Sequence, residues 1–317
     1  MKKEVTFINN IFDSKPEHLH QLSFEDLIQT FSEQNDFAFK RKLKDLGYFK
    51  RLYINQMRAE RDINNRNWES LKSKPDKLAF KLKGYHRDFI LSHQTKSSQF
   101  LTESDFQPIA GLPTGFIEDL KITRYQLLKP LYPGFSFAQF QSRQGKKEDF
   151  TTNLAPYMAL DIDIPFDDEK EMLNKLGKYV DIYCVLTSPN GGLRPVIRID
   201  SSAEMMHQLT KWQQKNVDIQ NIKWHLPALW KTYLHIVFDK IQRSLNNETV
   251  QVNGVPAPFV LDNKCKNLNR FWYISRLKGR SININSNAEP VKVTRDDCIE
   301  FSKKIFPATN CIFGSLA

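Results

Sequence analysis

Two aspartates separated by one residue interrupt an apolar run, YMALDIDIP, between Tyr157 and Pro165. The apolar positions alternate with the others, as in a strand with one apolar face; they are Met158, Leu160, Ile162 and Ile164. Asp161 and Asp163 therefore fall together on the opposite face. Neighbouring carboxylates repel unless a cation or a proton is bound, and oxygen ligands suit Mg²⁺ and Mn²⁺, so the pair predicts a divalent-metal site. The alternative is the exposed polar face of an edge strand.

A turn rich in small residues lies in the segment TSPNGGLRPVIRI, from Thr187 to Ile199. Small side chains let a phosphate approach the backbone N–H groups closely, and the guanidinium of Arg194 would add a charged donor. The residues of this turn that a phosphate could approach are Ser188, Asn190, Gly191 and Gly192. The alternative is an ordinary turn between two strands.

A third group of polar residues lies in VLDNKCKNLNRFWYIS, from Val260 to Ser275. Asp262 is predicted to end an apolar strand, where it could join the first two carboxylates. Three polar or basic residues follow within one or two turns, which are Lys266, Asn267 and Arg270. Hard-cation ligands beside a phosphate-accepting turn and several cations indicate metal-assisted phosphoryl transfer. The alternative is an aspartate that caps a basic helix or loop.

In this order the three segments resemble the catalytic domain of the archaeo-eukaryotic primase superfamily. The resemblance is to the primase-polymerase-like domains that occur with VirE-type and mobile-element replication proteins of bacteria, and it covers roughly residues 120–300. Asp161 and Asp163 match the DxD or DxE of the first family motif, residues 188–194 (SPNGGLR) resemble the second, and Asp262 matches the third. KNLNRFWYIS resembles a Lys-Asn-Leu-Ser-Arg stretch of the bacterial branch.

The resemblance implies template-directed nucleotidyl transfer from (d)NTPs onto a primer or an initiating nucleotide. Two Mg²⁺ or Mn²⁺ ions held by Asp161, Asp163 and Asp262 would activate the attacking hydroxyl and neutralise the transferring phosphate. The glycine turn and Arg194 would hold the triphosphate, and the cations after Asp262 would contact phosphate or template. Arg194 stands where many family members have a histidine, and an arginine cannot change its protonation near neutral pH.

The elements that must position these residues are predicted to form an α+β domain. Strands and helices follow one another in an order that favours a small, mostly antiparallel sheet with helices on one side. The resemblance adds that this sheet is the RRM-like core of a primase-polymerase. Outside the three segments, the patterns predict a helix capped by Ser23, a hairpin near residues 134–150, and helices near 168–178, 202–215, 226–246 and 295–306.

A basic segment, residues 40–87, holds all of the net charge of +10, with 15 Lys and Arg against 5 Asp and Glu. Interleaved aromatic and aliphatic residues predict a helical element with a buried face. Its exposed face could bind a phosphate backbone, and the alternative is an ordinary solvated helix face. The residues expected to bind nucleic acid are Lys40, Arg41, Lys42, Lys44, Lys50, Arg51, Arg58 and Arg61.

The chain of 317 residues, 40% of them hydrophobic, is long enough for about two domains. A polar, proline- and glycine-containing stretch at 92–115 predicts a division into a basic, mainly helical region over 1–110 and a catalytic domain over 111–317. No apolar run is long enough to span a bilayer, and no secretory signal is evident, so we expect a cytoplasmic location and no membrane partner. Four scattered cysteines predict free thiols.

These features favour a primase-polymerase of a plasmid, phage or mobile element, acting on single-stranded DNA or a primed template. The chain has no GxxxxGK[ST] motif, so a helicase or another replication protein would have to unwind the duplex. A metal-dependent nuclease is one alternative, although a nuclease has no incoming triphosphate for the glycine turn to hold. The other is a catalytically inert nucleic-acid-binding or replication-initiator module with the same fold, for which Arg194 leaves room.

Overall fold

The computed structural model describes residues 4–8, 19–32, 48–83, 99–128, 134–140, 151–162, 166–187, 192–215, 226–268, 270–273 and 282–305. Helices and small antiparallel sheets alternate along these residues, which confirms the α+β class. The paired strands on either side of the glycine turn and the predicted helices of the second half are present. The hairpin predicted near 134–150 is found only in part, because residues 138–140 pair with 151–154, residues 134–136 belong to another sheet, and residues 141–150 lie outside the described ranges.

One sheet carries the first two motifs. It consists of Tyr157–Ala159 (β6), Ile182–Thr187 (β7) and Leu193–Arg198 (β8). The strands are antiparallel in the order β6-β8-β7, so β8 lies in the middle. Five of the six β8 residues are buried. Two neighbouring strands and side chains packed on both faces therefore hold β8 firmly in place.

A second sheet joins distant parts of the chain. It consists of Glu4–Ile8 (β1), Leu19–Ser23 (β2), Gly134–Ser136 (β3) and Trp272–Tyr273 (β11), antiparallel in the order β11-β3-β1-β2. Phe7 of β1 lies opposite Phe135 on one side and His20 on the other. The first strand is thus an inner strand of this sheet, and the segment after Asp262 forms one of its edges.

Two hairpins complete the strands. Ala138–Phe140 (β4) pairs with Thr151–Leu154 (β5), and Thr249–Val252 (β9) pairs with Val255–Pro258 (β10). The β9-β10 turn has positive φ angles at Asn253 and Gly254, and both of their N–H groups donate to the Asp167 carboxylate. The strand that precedes Asp262 is β10, which ends at Pro258. It was predicted to end four residues later, at Asp262.

Ser23 and Asp168 cap two of the helices. The Ser23 hydroxyl accepts from the N–H of Asp26 at 3.0 Å, which confirms the predicted cap, and the Asp168 carboxylate accepts from Lys170 and Glu171. The α-helices are Phe24–Ser32 (α1), Tyr48–Asn64 (α2), Trp68–Ser73 (α3), Phe116–Asp119 (α4), Arg124–Leu128 (α5), Glu169–Gly177 (α6), Ala203–Lys215 (α7), Leu226–Leu245 (α8) and Arg295–Ile305 (α9). Short 3₁₀ helices are Pro75–Lys81, Glu103–Asp105 and Asn263–Lys266.

Buried apolar residues of the described ranges form two clusters. The larger runs from Val5 to Phe301 and contains β1, α1 and the sheet that carries the motifs. The smaller runs from Leu52 to Leu127 and contains α2 and the segments that pack on it. The clusters do not follow the predicted division at residue 110, because the first strands and α1 pack with the second half of the chain. That division stays a prediction.

A glutamate of α1 ties this helix to the motif-bearing sheet. The hydroxyls of Tyr157 in β6 and Tyr183 in β7 both donate to the Glu25 carboxylate at 2.8 Å. Burial, together with the bond to Glu25, raises the pKa of Tyr183 to about 12, so the hydroxyl stays protonated and keeps donating across the neutral range.

A buried charge network fixes the smaller cluster. The Lys77 ammonium donates to Asp62 at 2.5 Å and to the Ser70 hydroxyl at 2.6 Å, which joins the 3₁₀ helix Pro75–Lys81 to α2 and α3. Burial by itself raises the pKa of Asp62, but the hydrogen bonds from Lys77 and Ser70 and the Lys77 charge outweigh it, so the pKa lies below its ordinary value. Asp62 is therefore held as a carboxylate.

Candidate active site

Asp161 lies immediately beyond β6, where the chain continues beside β8. The N–H groups of Leu160 and Ile162 donate to the carbonyls of Pro195 and Leu193 at 2.8 and 3.2 Å, so the backbone around Asp161 is fixed on both sides. The predicted alternation placed the aspartates opposite an apolar face. Asp161 does not lie on an exposed polar face, because the residue is only 2% exposed and its neighbours on both sides are buried.

Arg194 provides the first partner of this buried carboxylate. It is the second residue of β8, directly across from the segment that holds Asp161, and it is itself buried. Its Nε donates to Oδ1 of Asp161 at 3.0 Å. A charge-assisted bond between two buried groups compensates part of the cost of removing both from water.

Asp262 is brought to the same place by a backbone contact. Its N–H donates to the carbonyl of Asp161 at 3.0 Å. Its carboxylate accepts from the N–H of Lys264 at 3.0 Å and so caps the 3₁₀ helix Asn263–Lys266. The first and third predicted motifs therefore meet, and Asp262 is also the capping residue that the alternative interpretation described.

Arg270 links the two aspartates. Its Nη2 donates to Oδ2 of Asp161 at 2.6 Å, and its Nη1 donates to Oδ2 of Asp262 at 3.0 Å. One guanidinium thus lies between two carboxylates from different segments. We call the group of Asp161, Asp262, Arg194 and Arg270 the carboxylate–arginine cluster. Its formal charges, two negative and two positive, cancel.

Trp272 lies against both arginines of the cluster. The guanidinium carbons of Arg194 and Arg270 are 5.0 and 4.4 Å from the centre of its indole ring, within the range of a cation–π contact. The ring is buried, and its backbone pairs with Phe135 of β3. No role was predicted for Trp272 from the sequence. Its spacing of two residues from Arg270 in an extended segment, which puts both side chains on one face, could have indicated the contact.

The sulfur of Cys265 contacts the backbone of Asp161. The N–H of Asp161 donates to the Cys265 sulfur at 2.9 Å. Burial raises the pKa of the Cys265 thiol to about 12, so it is neutral near pH 7 and adds no charge to the site. This residue was also missed, because a single cysteine in NKCK carries no recognisable motif. Three cysteines lie in the described residues, and all of them are free, buried thiols.

The remaining predicted nucleotide ligands differ in how far the structure describes them. Gly192 directly precedes β8, and Asn267 accepts the N–H of Arg270 through its carbonyl at 3.0 Å. Lys266 donates to Asn263 at 3.4 Å and its ammonium lies 5.5 Å from the Phe238 ring, which directs it toward α8. Asp163, Ser188, Asn190 and Gly191 lie outside the described residues.

The donor chemistry of the cluster fits a hard cation. Among the described ranges, which exclude Asp163, no set of three or more His, Cys, Asp or Glu residues is arranged to hold a metal ion. Asp161 and Asp262 nevertheless offer carboxylate oxygens from two directions to one positively charged group, the Arg270 guanidinium. A cationic group already lies between them, so a divalent ion would meet the same two ligands in its place.

The predicted nucleic-acid-binding residues fall on α2 and on the segment before it. Arg58 and Arg61 are exposed on this helix, and so are two large apolar side chains, Tyr53 and Met57, at 61% and 54%. Lys50 and Arg51 belong to α2 by their backbone, whereas Lys40, Arg41, Lys42 and Lys44 lie outside the described residues. The described part of this surface therefore combines cations with an exposed aromatic ring.

Comparison with known proteins adds no relative. No family model matches the chain, and no curated protein and no solved structure matches it either. Within the described ranges, none of the helices combines the length and the apolar character needed to cross a membrane.

Proposed function

We propose that this protein is a primase-polymerase, which joins (d)NTPs to a primer or an initiating nucleotide on single-stranded DNA with the help of Mg²⁺ or Mn²⁺. One observation carries the proposal: residues from three distant segments meet in the carboxylate–arginine cluster. Those are the three segments that resemble the motifs of the archaeo-eukaryotic primase superfamily. Carboxylates that can hold a cation and guanidinium groups that can bind phosphate are what phosphoryl transfer requires.

Asp161 and Asp262 would hold the metal, with Asp163 as a further ligand. When bound, the ion would supply the positive charge that neutralises the transferring phosphate and activates the attacking hydroxyl. Arg194 orients Asp161, because its bond to Oδ1 and its contact with the Trp272 ring hold both side chains in one arrangement. The carboxylate of Asp161 is therefore held in position before its ligand arrives.

The template would bind along the exposed basic face of α2. Arg58 and Arg61 offer charge to the phosphate backbone, and Tyr53 offers a ring on which a base can stack. Single-stranded DNA suits this combination, because its bases are free to stack on an exposed aromatic side chain. A helicase or another replication protein would supply the single strand.

A second candidate function is an inert nucleic-acid-binding module. The observation that favours it is that both oxygens of Asp161 accept hydrogen bonds from arginines. Carboxylates neutralised in this way could serve only to hold the fold together. In that case the same residues would be needed for stability and not for chemistry.

Primer extension separates the two functions. The wild-type protein, Asp262→Asn and the matched surface variant Asp296→Asn would be incubated with a primed and an unprimed single-stranded template, Mg²⁺ or Mn²⁺, and dNTPs or NTPs in separate reactions. We expect Asp262→Asn to lose at least about a hundredfold in elongation rate, as when one group that stabilises transition-state charge is removed. Asp296 is exposed at the start of α9, so its variant should extend primers like the wild type.

Two results would contradict the proposal. Equal extension by the wild type and Asp262→Asn would show that the cluster is not the catalytic site. No extension by a wild type that binds the oligonucleotide, with the same affinity in Asp262→Asn, would identify the inert module instead. Product on the unprimed template would make the protein a primase as well as a polymerase.

A further inference from the structure

We propose that Arg270 is a resident counter-cation that competes with the divalent metal ion for Asp161 and Asp262. This inference rests on the proposed function and adds to it a way in which metal binding is controlled. Arg270 is a positioning residue in this proposal, because it acts on the ion through the two carboxylates.

The geometry supports competition and not simple coexistence. Arg270 uses two different nitrogens to reach one oxygen of each aspartate, at 2.6 and 3.0 Å. A metal ion that bound both carboxylates would need oxygens that these hydrogen bonds now engage. The like charges of the guanidinium and the ion would also repel at such short separation.

Burial explains why the carboxylates need a resident cation. The side chain of Asp161 is 3% exposed, and a second carboxylate is hydrogen-bonded to the same guanidinium. An unpaired buried charge is strongly destabilising, so in the absence of metal the two aspartates require a positive partner. Arg194 neutralises one of them, and Arg270 supplies the remaining charge.

Arg270 can leave the carboxylates without a change of fold. Its side chain is 18% exposed, more than the 8% of Arg194, and its backbone N–H is held by the Asn267 carbonyl. Rotation of the side chain alone would release both hydrogen bonds, together with the contact to the Trp272 ring at 4.4 Å. The freed guanidinium would then be available to a triphosphate, so metal and nucleotide would each favour binding of the other.

The test is the affinity for Mn²⁺ alone, measured by calorimetric titration and by thermal shift. The proteins compared are the wild type, Arg270→Gln, Arg270→Lys and Arg295→Gln, the last being an exposed arginine of α9 with the same charge change. We expect Arg270→Gln to bind Mn²⁺ at least about tenfold more tightly than the wild type, because no charged hydrogen bonds must be broken first. Arg295→Gln should bind like the wild type, and Arg270→Lys should lie between them.

Arg270→Gln should also be less stable than the wild type without metal and should regain more stability on addition of Mn²⁺. If this variant is unfolded without metal, its refolding by Mn²⁺ supports the proposal, and Arg270→Lys provides the affinity comparison. Removal of Asp262 in the same background, as Arg270→Gln/Asp262→Asn, should abolish the gain in affinity. A gain that persists in this double variant would overturn the proposal.

Failure of this inference can be distinguished from failure of the proposed function. Equal or weaker Mn²⁺ binding by Arg270→Gln, in a protein whose wild type extends primers, overturns the competition and leaves the function standing. Absence of Mn²⁺ binding in the wild type and in all variants overturns both, because the carboxylates would then hold no metal at all.

Discussion

At the scale of single residues, the candidate site consists of two carboxylates and two guanidinium groups that are buried or half-buried and neutralise one another. Asp161 has two arginine partners, Arg270 has two carboxylate partners, and Trp272 contacts both guanidinium groups. Such networks are strongly coupled, because removing one member leaves another without compensation. The cost of each substitution therefore depends on which partners remain.

Arg194→Gln tests this coupling. The substitution removes one of the two arginines from a carboxylate that stays paired with Arg270, so we expect the free energy of unfolding to fall by about 2 to 3 kcal/mol. Urea denaturation would measure it, with Arg295→Gln as the control. In the double variant Asp161→Asn/Arg194→Gln the loss should be smaller than the sum of the two single losses. Simple additivity would show that the two side chains do not interact.

The same residues show what could and could not be predicted from the sequence. Asp161 and Arg194 stood out because a charge in a strongly apolar run is conspicuous. The contact between Asp161 and Asp262 joins segments about a hundred residues apart in the chain. The sequence suggested it through a carboxylate at a predicted strand end and through the family resemblance. Arg270 was predicted as a phosphate ligand. Its bond to both aspartates could not be predicted, since local patterns do not encode partners that folding brings together.

At the scale of elements, α2 has two faces with different roles. Its buried face holds Asp62, whose carboxylate accepts hydrogen bonds from Lys77 and Ser70. Its exposed face carries arginines together with Tyr53 and Met57. The interleaved apolar residues of 40–87 predicted a helical element, and its described part, residues 48–83, contains α2, α3 and a 3₁₀ helix. That Lys77 would be the buried partner of Asp62 could not be predicted, because the segment contains many lysines and arginines and nothing in the sequence distinguishes a buried one from an exposed one.

The Asp62 network makes the stability of this element dependent on pH. Since the pKa of Asp62 is lower in the folded state than its ordinary 3.8, the network contributes stability above about pH 4 and loses it as the pH falls toward the lowered value. We expect Asp62→Asn to cost about 3 kcal/mol at pH 7. The difference from the wild type should shrink below pH 4. Asp119→Asn, an exposed control, should change stability by less than about 0.5 kcal/mol at any pH.

Denaturant unfolding at a series of pH values would measure this difference. A gap between the wild type and Asp62→Asn that stays constant from pH 7 to pH 3 would contradict the assignment of the ion pair to Lys77 and Asp62.

The exposed face of α2 makes a prediction about nucleic acid. Replacing both Arg58 and Arg61 by glutamine should weaken binding of single-stranded DNA and lower the slope of log affinity against log salt by about 1.4, roughly 0.7 for each phosphate that an arginine no longer neutralises. Fluorescence anisotropy over a range of salt concentrations would measure both quantities. Arg295→Gln/Lys303→Gln makes the same change of charge on α9. An equal effect of this control pair would show that only net charge matters.

At the scale of the whole molecule, the four-stranded sheet depends on β1, residues 4–8. β1 is an inner strand, and Val5, Ile8 and Phe24 are almost fully buried in the protein interior. The short runs EVTFI and LHQLS did not predict strands, because each is only five residues long and neither alternates buried and exposed positions. The α+β fold class could be predicted from the order of the later elements. The positions of β1 and β2 could not be predicted from it.

A fragment of residues 111–317 tests the predicted domain boundary. It would lack β1, β2 and α1, so β3 would be without one of its two neighbouring strands and Phe135 would be without the Phe24 ring beside it. We expect the fragment to show no cooperative thermal transition and no fixed near-ultraviolet circular dichroism, with the full chain as the reference. A cooperative transition would show that residue 110 does mark an independent folding unit.

The sheet order β11-β3-β1-β2 has a consequence for synthesis on the ribosome. β1 is translated before its neighbour β3, which follows at residues 134–136, and well before β11, which carries the Trp272 ring that contacts both arginines, at 272–273. A nascent chain therefore has to keep one edge of an apolar strand unpaired for much of its translation. The carboxylate–arginine cluster and its contact with the Trp272 ring can therefore assemble only after Trp272 has left the exit tunnel.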